Sequence, residues 1–165
     1  MVDFNKPGVR NFAGFIVCVG MMGFALYSQH FMGLEPCPLC VFQRIAVIGL
    51  GVIFLVAAIH NAGHTGRRIY AGLLALVSLA GSGVSARHVW LQNLPPDQVP
   101  TCGPGLDFML GTFPVLEVLE MVLSGSGECA EVSWMLLGLS MPAWTLIGLL
   151  ALGAYGVWVN LSVRH

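Results

Sequence analysis

The sequence predicts an all-α membrane protein: a bundle of four transmembrane helices with one long outer loop that carries a short amphipathic helix. Three observations predict it. Over the 165 residues, hydrophobic side chains make up 56% and charged ones only 9%. A soluble domain carries about 25% charged residues, so this chain cannot cover itself with a water-compatible surface. Four apolar stretches, at about residues 12–31, 41–59, 69–89 and 142–163, each approach the roughly 20 residues that a helix needs to cross a bilayer. The basic residues, finally, are distributed asymmetrically around those stretches. The whole chain, 1–165, reads as a single integral membrane domain.

Inside hydrocarbon the backbone must satisfy its own hydrogen bonds, so each stretch is expected to be helical. The first is longer than a signal-peptide core and has no small-residue cleavage pattern near Ser28–His30, so it is read as a span. Glycines punctuate the spans (Gly20, Gly23, Gly49, Gly51, Gly81, Gly83, Gly153, Gly156) and are read as packing faces where membrane helices approach closely.

Orientation follows from the excess of Lys and Arg on the cytoplasmic side of membrane proteins. Lys6 and Arg10 precede the first span, Arg67 and Arg68 separate the second and third, and Arg164 follows the fourth. Both termini are therefore expected in the cytoplasm. Arg44 and Arg87 lie on the outer side, together with every acid except Asp3. No basic stripe or tail points to nucleic acid.

Two outer loops result, at about 32–40 and 90–141. The longer one opens with Leu94-Pro95-Pro96-Asp97-Gln98-Val99-Pro100, expected to be irregular and extended. Residues 114–123 place Glu117 and Glu120 on one helical face. That helix either lies flat on the membrane or packs on top of the bundle. Ser124-Gly125-Ser126-Gly127 reads as a flexible hinge. Asn160-Leu161-Ser162 matches a glycosylation sequon but falls inside a span and is dismissed. His60 and His64 are expected in the loop on the cytoplasmic side.

The chemistry rests on five cysteines. Cys18 falls mid-span and reads as a small core residue. Cys37-Pro38-Leu39-Cys40 stands where the first outer loop enters the second span, and Cys102 and Cys129 lie in the long loop. All four share the outer side, where disulfides persist in bacteria. Three readings compete: structural staples, a zinc site, or a redox relay. Cys102 and Cys129 are too far apart for a zinc knuckle, so no metal is expected. A staple between them would stabilise the loop by roughly 3–4 kcal/mol, but one across Cys37 and Cys40 restricts almost nothing. Tight disulfides of that kind are the labile, reactive ones. Pro38 suits a first helical turn, which places Cys40 at a helix N-terminus that favours negative charge. Arg44, one turn on, either hydrogen-bonds a ligand oxygen or snorkels to the interface. His88 either serves a ligand or a proton transfer, or with Arg87 caps the end of the third span.

Cys37-Pro38-Leu39-Cys40-Val41-Phe42-Gln43-Arg44, four spans and a second cysteine pair in the long loop resemble the bacterial DsbB family of disulfide bond formation proteins. Gly125-Ser126-Gly127-Glu128-Cys129-Ala130-Glu131 before Trp134 and Met141-Pro142-Ala143-Trp144 are similar too. The resemblance implies a quinone-dependent oxidoreductase of the bacterial inner membrane, with Cys37, Cys40, Cys102 and Cys129 catalytic and both loops periplasmic. It implies that a reduced periplasmic thioredoxin-like oxidase, DsbA, attacks a Cys102–Cys129 disulfide at Cys102. Electrons would then pass to Cys37–Cys40 through a transient Cys37–Cys129 bond, helped by the hinge. Cys40 would deliver them to ubiquinone, or menaquinone where oxygen is absent, held near Arg44 and His88. Cys102-Gly103-Pro104-Gly105 lacks the second cysteine of a thioredoxin motif, so Cys102 needs Cys129 as partner. Two alternatives stay open: a quinone-linked relay of the vitamin K epoxide reductase type, and a non-catalytic four-span scaffold stapled by disulfides.

Overall fold

The computed structural model describes residues 7–95, 97–100 and 106–162. Cys102, Lys6 and Arg164 lie outside the described residues, as does Cys102-Gly103-Pro104-Gly105.

Four long helices dominate: α1 (Pro7–Phe31), α2 (Pro38–His60), α3 (His64–Gln92) and, after the long connection, α7 (Met141–Ser162). Each is long and apolar enough to cross a membrane. Between α3 and α7 lie α4 (Leu106–Thr112), α5 (Val115–Ser124), α6 (Gly127–Ala130) and a small antiparallel hairpin of β1 (Met135–Leu136) and β2 (Leu139–Ser140). α1 packs on α2, α2 on α3 and α3 on α7, and α7 closes the ring against α1.

Fully buried Leu50, Phe54, Leu74 and Leu149 meet at the bundle centre beside Cys18, which is the core residue expected. The outer faces are equally apolar: Ile48, Ile59, Ile69, Leu76, Leu79 and Trp158 are all exposed. A soluble bundle would put charge there, whereas lipid accepts hydrocarbon. Between helices in lipid, close packing rather than water exclusion drives association. Gly81 and Gly156 make that approach possible: a Cβ on Gly81 would lie 2.6 Å from Ala46 Cβ, and one on Gly156 would lie 2.7 Å from Leu74 Cδ1. Gly20, Gly23 and Gly83 do not serve this way, since nothing lies within 4 Å of where their side chains would be. At the end that carries the termini, Asn11 and Asn160 exchange amide hydrogen bonds of 3.3 and 3.0 Å. Asn160 is buried, so the sequon is indeed inside the bundle.

Several expectations need correction. The connection after α2 is only Asn61–Gly63, with Asn61 closing the helix in the left-handed region at φ 43°. His60 therefore ends α2 and His64 begins α3, and His60 Nδ1 lies 2.7 Å from the Tyr70 hydroxyl. α3 runs on to Gln92, so Arg87 and His88 do not cap it. Residues 94–100 contain a turn, with Gln98 N–H donating to Pro95 O at 2.9 Å, rather than a fully extended run. The amphipathic helix packs on the bundle, the second of the two readings. Val118 and Val122 of α5 are buried on the bundle, while Leu116, Leu119 and Leu123 stay exposed beside Glu117 and Glu120. The supposed hinge is a packed turn. Gly125 takes φ 87° and abuts Leu91, and Ser126 and Gly127 are buried. A side chain at 125 would be both strained and in collision.

Candidate active site

Cys37 is the residue preceding α2 and keeps an extended backbone (φ −66°, ψ 163°), while its carbonyl accepts the first helical hydrogen bond from Val41 N–H. Pro38 opens the helix, where its fixed φ is already helical and its missing N–H has no partner to lose. This local geometry turns Cys40 back towards Cys37, and the two free thiols lie 3.1 Å apart, Sγ to Sγ.

α3 supplies the next group. His88 is 2% exposed, with Nε2 3.7 Å from Cys37 Sγ and Nδ1 4.0 Å from Cys40 Sγ. Gln43 Nε2 lies 3.1 Å from His88 Nδ1. An amide nitrogen only donates, so Nδ1 accepts and the ring proton sits on Nε2, facing Cys37. Gln43 was quoted from the motif but given no role. Its signal was present: it follows Cys40 by three residues on one helical face, and a buried amide must find a partner.

The long connection supplies the fourth group. Cys129, on α6, is 1% exposed and packs with Cys37, Leu39, Leu91, Val118 and Val122. The reacting atoms of Cys37, His88 and Cys129 all lie within 4.8 Å of one another. Spacing along the chain gave no hint of this convergence. The Ser126 hydroxyl is 3.6 Å from Cys129 Sγ. Hydrogen bonding with Cys37, and then burial, push the Cys129 thiol well above the ordinary thiol range.

Two arginines behave differently from one another. Arg44 reaches across to α1, where it donates to Gln29 Oε1 and to Ala25 O at 3.3 Å. It borders, with Cys40, a cleft whose lining includes Met21, Met22, Val47, Gln43, His88 and Trp134. Arg87 instead caps α5, donating to Leu123 O at 3.2 Å and Ser124 O at 3.0 Å, and stacks on Trp90 at 4.2 Å. The described site thus joins Cys37, Cys40 and Cys129 with His88, and sets Arg44 in the adjoining cleft.

The family model described as "Disulfide bond formation protein DsbB" matches residues 9–159. The chain belongs to the DsbB family. It is 54% identical over 147 residues to "Disulfide bond formation protein B" of Nitrosococcus oceani, covering 89% of this chain and 87% of that one. The protein of the same description from Chromohalobacter salexigens is 56% identical over 155 residues, covering 92% and 90%. That from Saccharophagus degradans is 53% identical over 159 residues, covering 96% and 94%. Family and helices together make this a multi-pass membrane protein of the disulfide bond formation class.

Proposed function

We propose that this DsbB-family chain is a protein dithiol:quinone oxidoreductase of the bacterial inner membrane, which reoxidises a periplasmic thioredoxin-like oxidase of the DsbA kind. The observation that carries the proposal is the convergence of Cys129, from the long connection, on the Cys37/Cys40 pair at the start of a membrane helix. A stapled scaffold has no need to bring a distant loop cysteine against a second pair.

The relay balances as four thiol–disulfide exchanges. The partner's thiolate attacks Cys102 of a Cys102–Cys129 disulfide and releases Cys129. Cys129 then attacks Cys37 of the Cys37–Cys40 disulfide, forming Cys37–Cys129 and releasing Cys40 as a thiolate. The partner's second thiolate attacks its own sulfur in the mixed disulfide, so the partner leaves oxidised and Cys102 is freed. Cys102 attacks Cys129, restoring Cys102–Cys129 and releasing Cys37. Attack by the partner's thiolate releases Cys129 already in the nucleophilic thiolate form, which its buried surroundings make reactive and ready to take up a proton. The His88 Nε2–H faces Cys37 and stabilises negative charge on that sulfur whenever it is the leaving group.

The cleft beside Cys40 fits a quinone: its wall of methionine and valine suits a flat apolar ring, and Arg44 presents N–H groups to acceptor oxygens. Arg44, with His88 of the same lining, would hold such a ring. A quinone there would supply the two-electron oxidant that restores the Cys37–Cys40 disulfide, ubiquinone or, where oxygen is absent, menaquinone. Gln29 Oε1 and Ala25 O hold the guanidinium in place against α1, at the edge of the cleft. The placement of Lys6, Arg10, Arg67, Arg68 and Arg164 supports an orientation with both termini in the cytoplasm and the thiols in the periplasm.

The test is turnover in detergent: reduced DsbA, a soluble ubiquinone analogue, and quinone absorbance against time. We expect quinone loss that requires both partner thiols and vanishes in Cys40→Ser. Unchanged turnover in Cys40→Ser would overturn the assignment.

A further inference from the structure

The thiols of the site are also a ligand set. We propose that the reduced protein captures one thiophilic divalent ion, Zn(II) or Cd(II), between Cys37, Cys40, Cys129 and His88, and that the captured ion halts disulfide exchange. The binding depends only on the geometry; the inhibitory consequence rests on the proposed relay.

Three sulfurs and one imidazole nitrogen make a Cys₃His set, a common tetrahedral combination for zinc. With bonds of about 2.0–2.3 Å, neighbouring ligand atoms of a tetrahedral site stand roughly 3.3–3.8 Å apart. The Cys37 Sγ to His88 Nε2 distance of 3.7 Å falls in that range, and Cys37, His88 and Cys129 already sit within 4.8 Å of one another. Cys40, now 3.1 Å from Cys37 Sγ and 4.0 Å from His88 Nδ1, must move away from Cys37 by about half an ångström and turn towards the other three ligand atoms to match the same geometry. Cys37, His88 and Cys129 are buried, so water competes poorly for the ion.

A second, independent feature supports the site. A histidine that binds metal through one nitrogen normally engages a polar partner through the other. Gln43 already stands 3.1 Å from His88 Nδ1. Turning over its amide presents the oxygen to an Nδ1 proton and leaves Nε2 free to ligate.

Redox state decides occupancy. A sulfur in a disulfide offers no thiolate, so capture is confined to the reduced chain. Binding displaces the thiol protons, Cys129's included, to solvent. No electron moves, and oxidation of the thiols releases the ion.

The experiment uses the full chain in detergent, reduced, freed of reductant and titrated with Co(II) as a spectroscopic probe and then with Zn(II). We expect one ion per chain, with sulfur-to-cobalt charge-transfer bands and intense tetrahedral d–d bands. Both are expected to disappear in chain oxidised with ferricyanide and to be lost in Cys129→Ser. X-ray absorption of the zinc form of the unsubstituted chain needs no variant, and is expected to show three sulfurs at about 2.3 Å and one nitrogen at about 2.0 Å. No binding by the reduced chain, or a shell of two sulfurs with oxygens, would overturn the proposal. Zinc bound as described in a protein without quinone turnover would remove the relay and keep the metal site.

Discussion

Gln43 and Cys129 show how single side chains tune this site. With its amide 3.1 Å from His88 Nδ1, Gln43 selects the ring tautomer that aims a proton at Cys37. Gln43→Leu keeps the bulk and removes the choice. We expect turnover to fall by roughly tenfold, the equivalent of one lost hydrogen bond of about 1.4 kcal/mol. Its pH–rate profile should shift while the apparent KM for the reduced partner holds; an unchanged profile would reduce Gln43 to packing. Cys129 gives a pH dependence with a definite sign. Its folded thiol is held above the ordinary range, first by hydrogen bonding with Cys37 and then by burial. The fold thus binds that proton more tightly than the unfolded chain does. Its stabilising contribution is complete below the unfolded thiol's pKa of about 8.5 and is lost as pH rises above it. The thermal midpoint of the reduced protein should therefore fall between about pH 8 and 10 more steeply than that of Cys129→Ser. Parallel curves would contradict the burial and bonding described.

At the scale of elements, the question is what holds α6 against the bundle, since Cys129 is useful only there. The turn after α5 does so. Gly125 bends back at φ 87°, its N–H closing on Met121 O and Val122 O, and its bare Cα lets the chain press on Leu91 of α3. Arg87 reinforces the same junction from α3 by binding the last carbonyls of α5. Gly125→Val would combine backbone strain of about 1–3 kcal/mol with a collision at Leu91. It should detach α6 while leaving the four long helices in place. The measurement is labelling of Cys129 in the reduced protein by a membrane-impermeant maleimide, expected to become fast in Gly125→Val and to remain slow in the parent. Equal labelling would return this segment to the open hinge that its Ser-Gly-Ser-Gly composition implied. Composition misled here because glycine serves flexibility and tight packing alike, and only the neighbour, Leu91, decides between them.

Across the whole molecule, the four helices and the placement of the CxxC pair at the start of the second were legible, because a bilayer imposes length and apolarity on a local stretch of chain. Within the long connection, α4 and the β1–β2 hairpin were not, and neither was the meeting of Cys129 with Cys37 and His88. Those depend on contacts between residues far apart in sequence, and no local periodicity encodes them. Leu137 and Gly138, both at positive φ (53° and 79°), make the hairpin turn, a conformation that a leucine does not advertise. The closing of the bundle is a long-range contact too. Asn11 and Asn160, at opposite ends of the chain, exchange two hydrogen bonds, and Asn160 Nδ2 also reaches Gly156 O at 2.9 Å. Buried in the bundle, the Asn11 amide is paired with the other helix, and Asn160 Oδ1 takes its donor from there too. Asn11→Leu should destabilise the protein by about 1–2 kcal/mol, since it takes away the donor to buried Asn160 Oδ1. Adding Asn160→Leu should cost less than the first change did, because no buried polar group then remains unpaired. Unfolding in a detergent titration measures both. The pair lies at the end of the bundle away from Cys37, so quinone turnover per folded molecule should stay at the parent level throughout. Additive losses in the double variant would show that the two amides do not act as a pair, and that α1 and α7 are joined by packing alone.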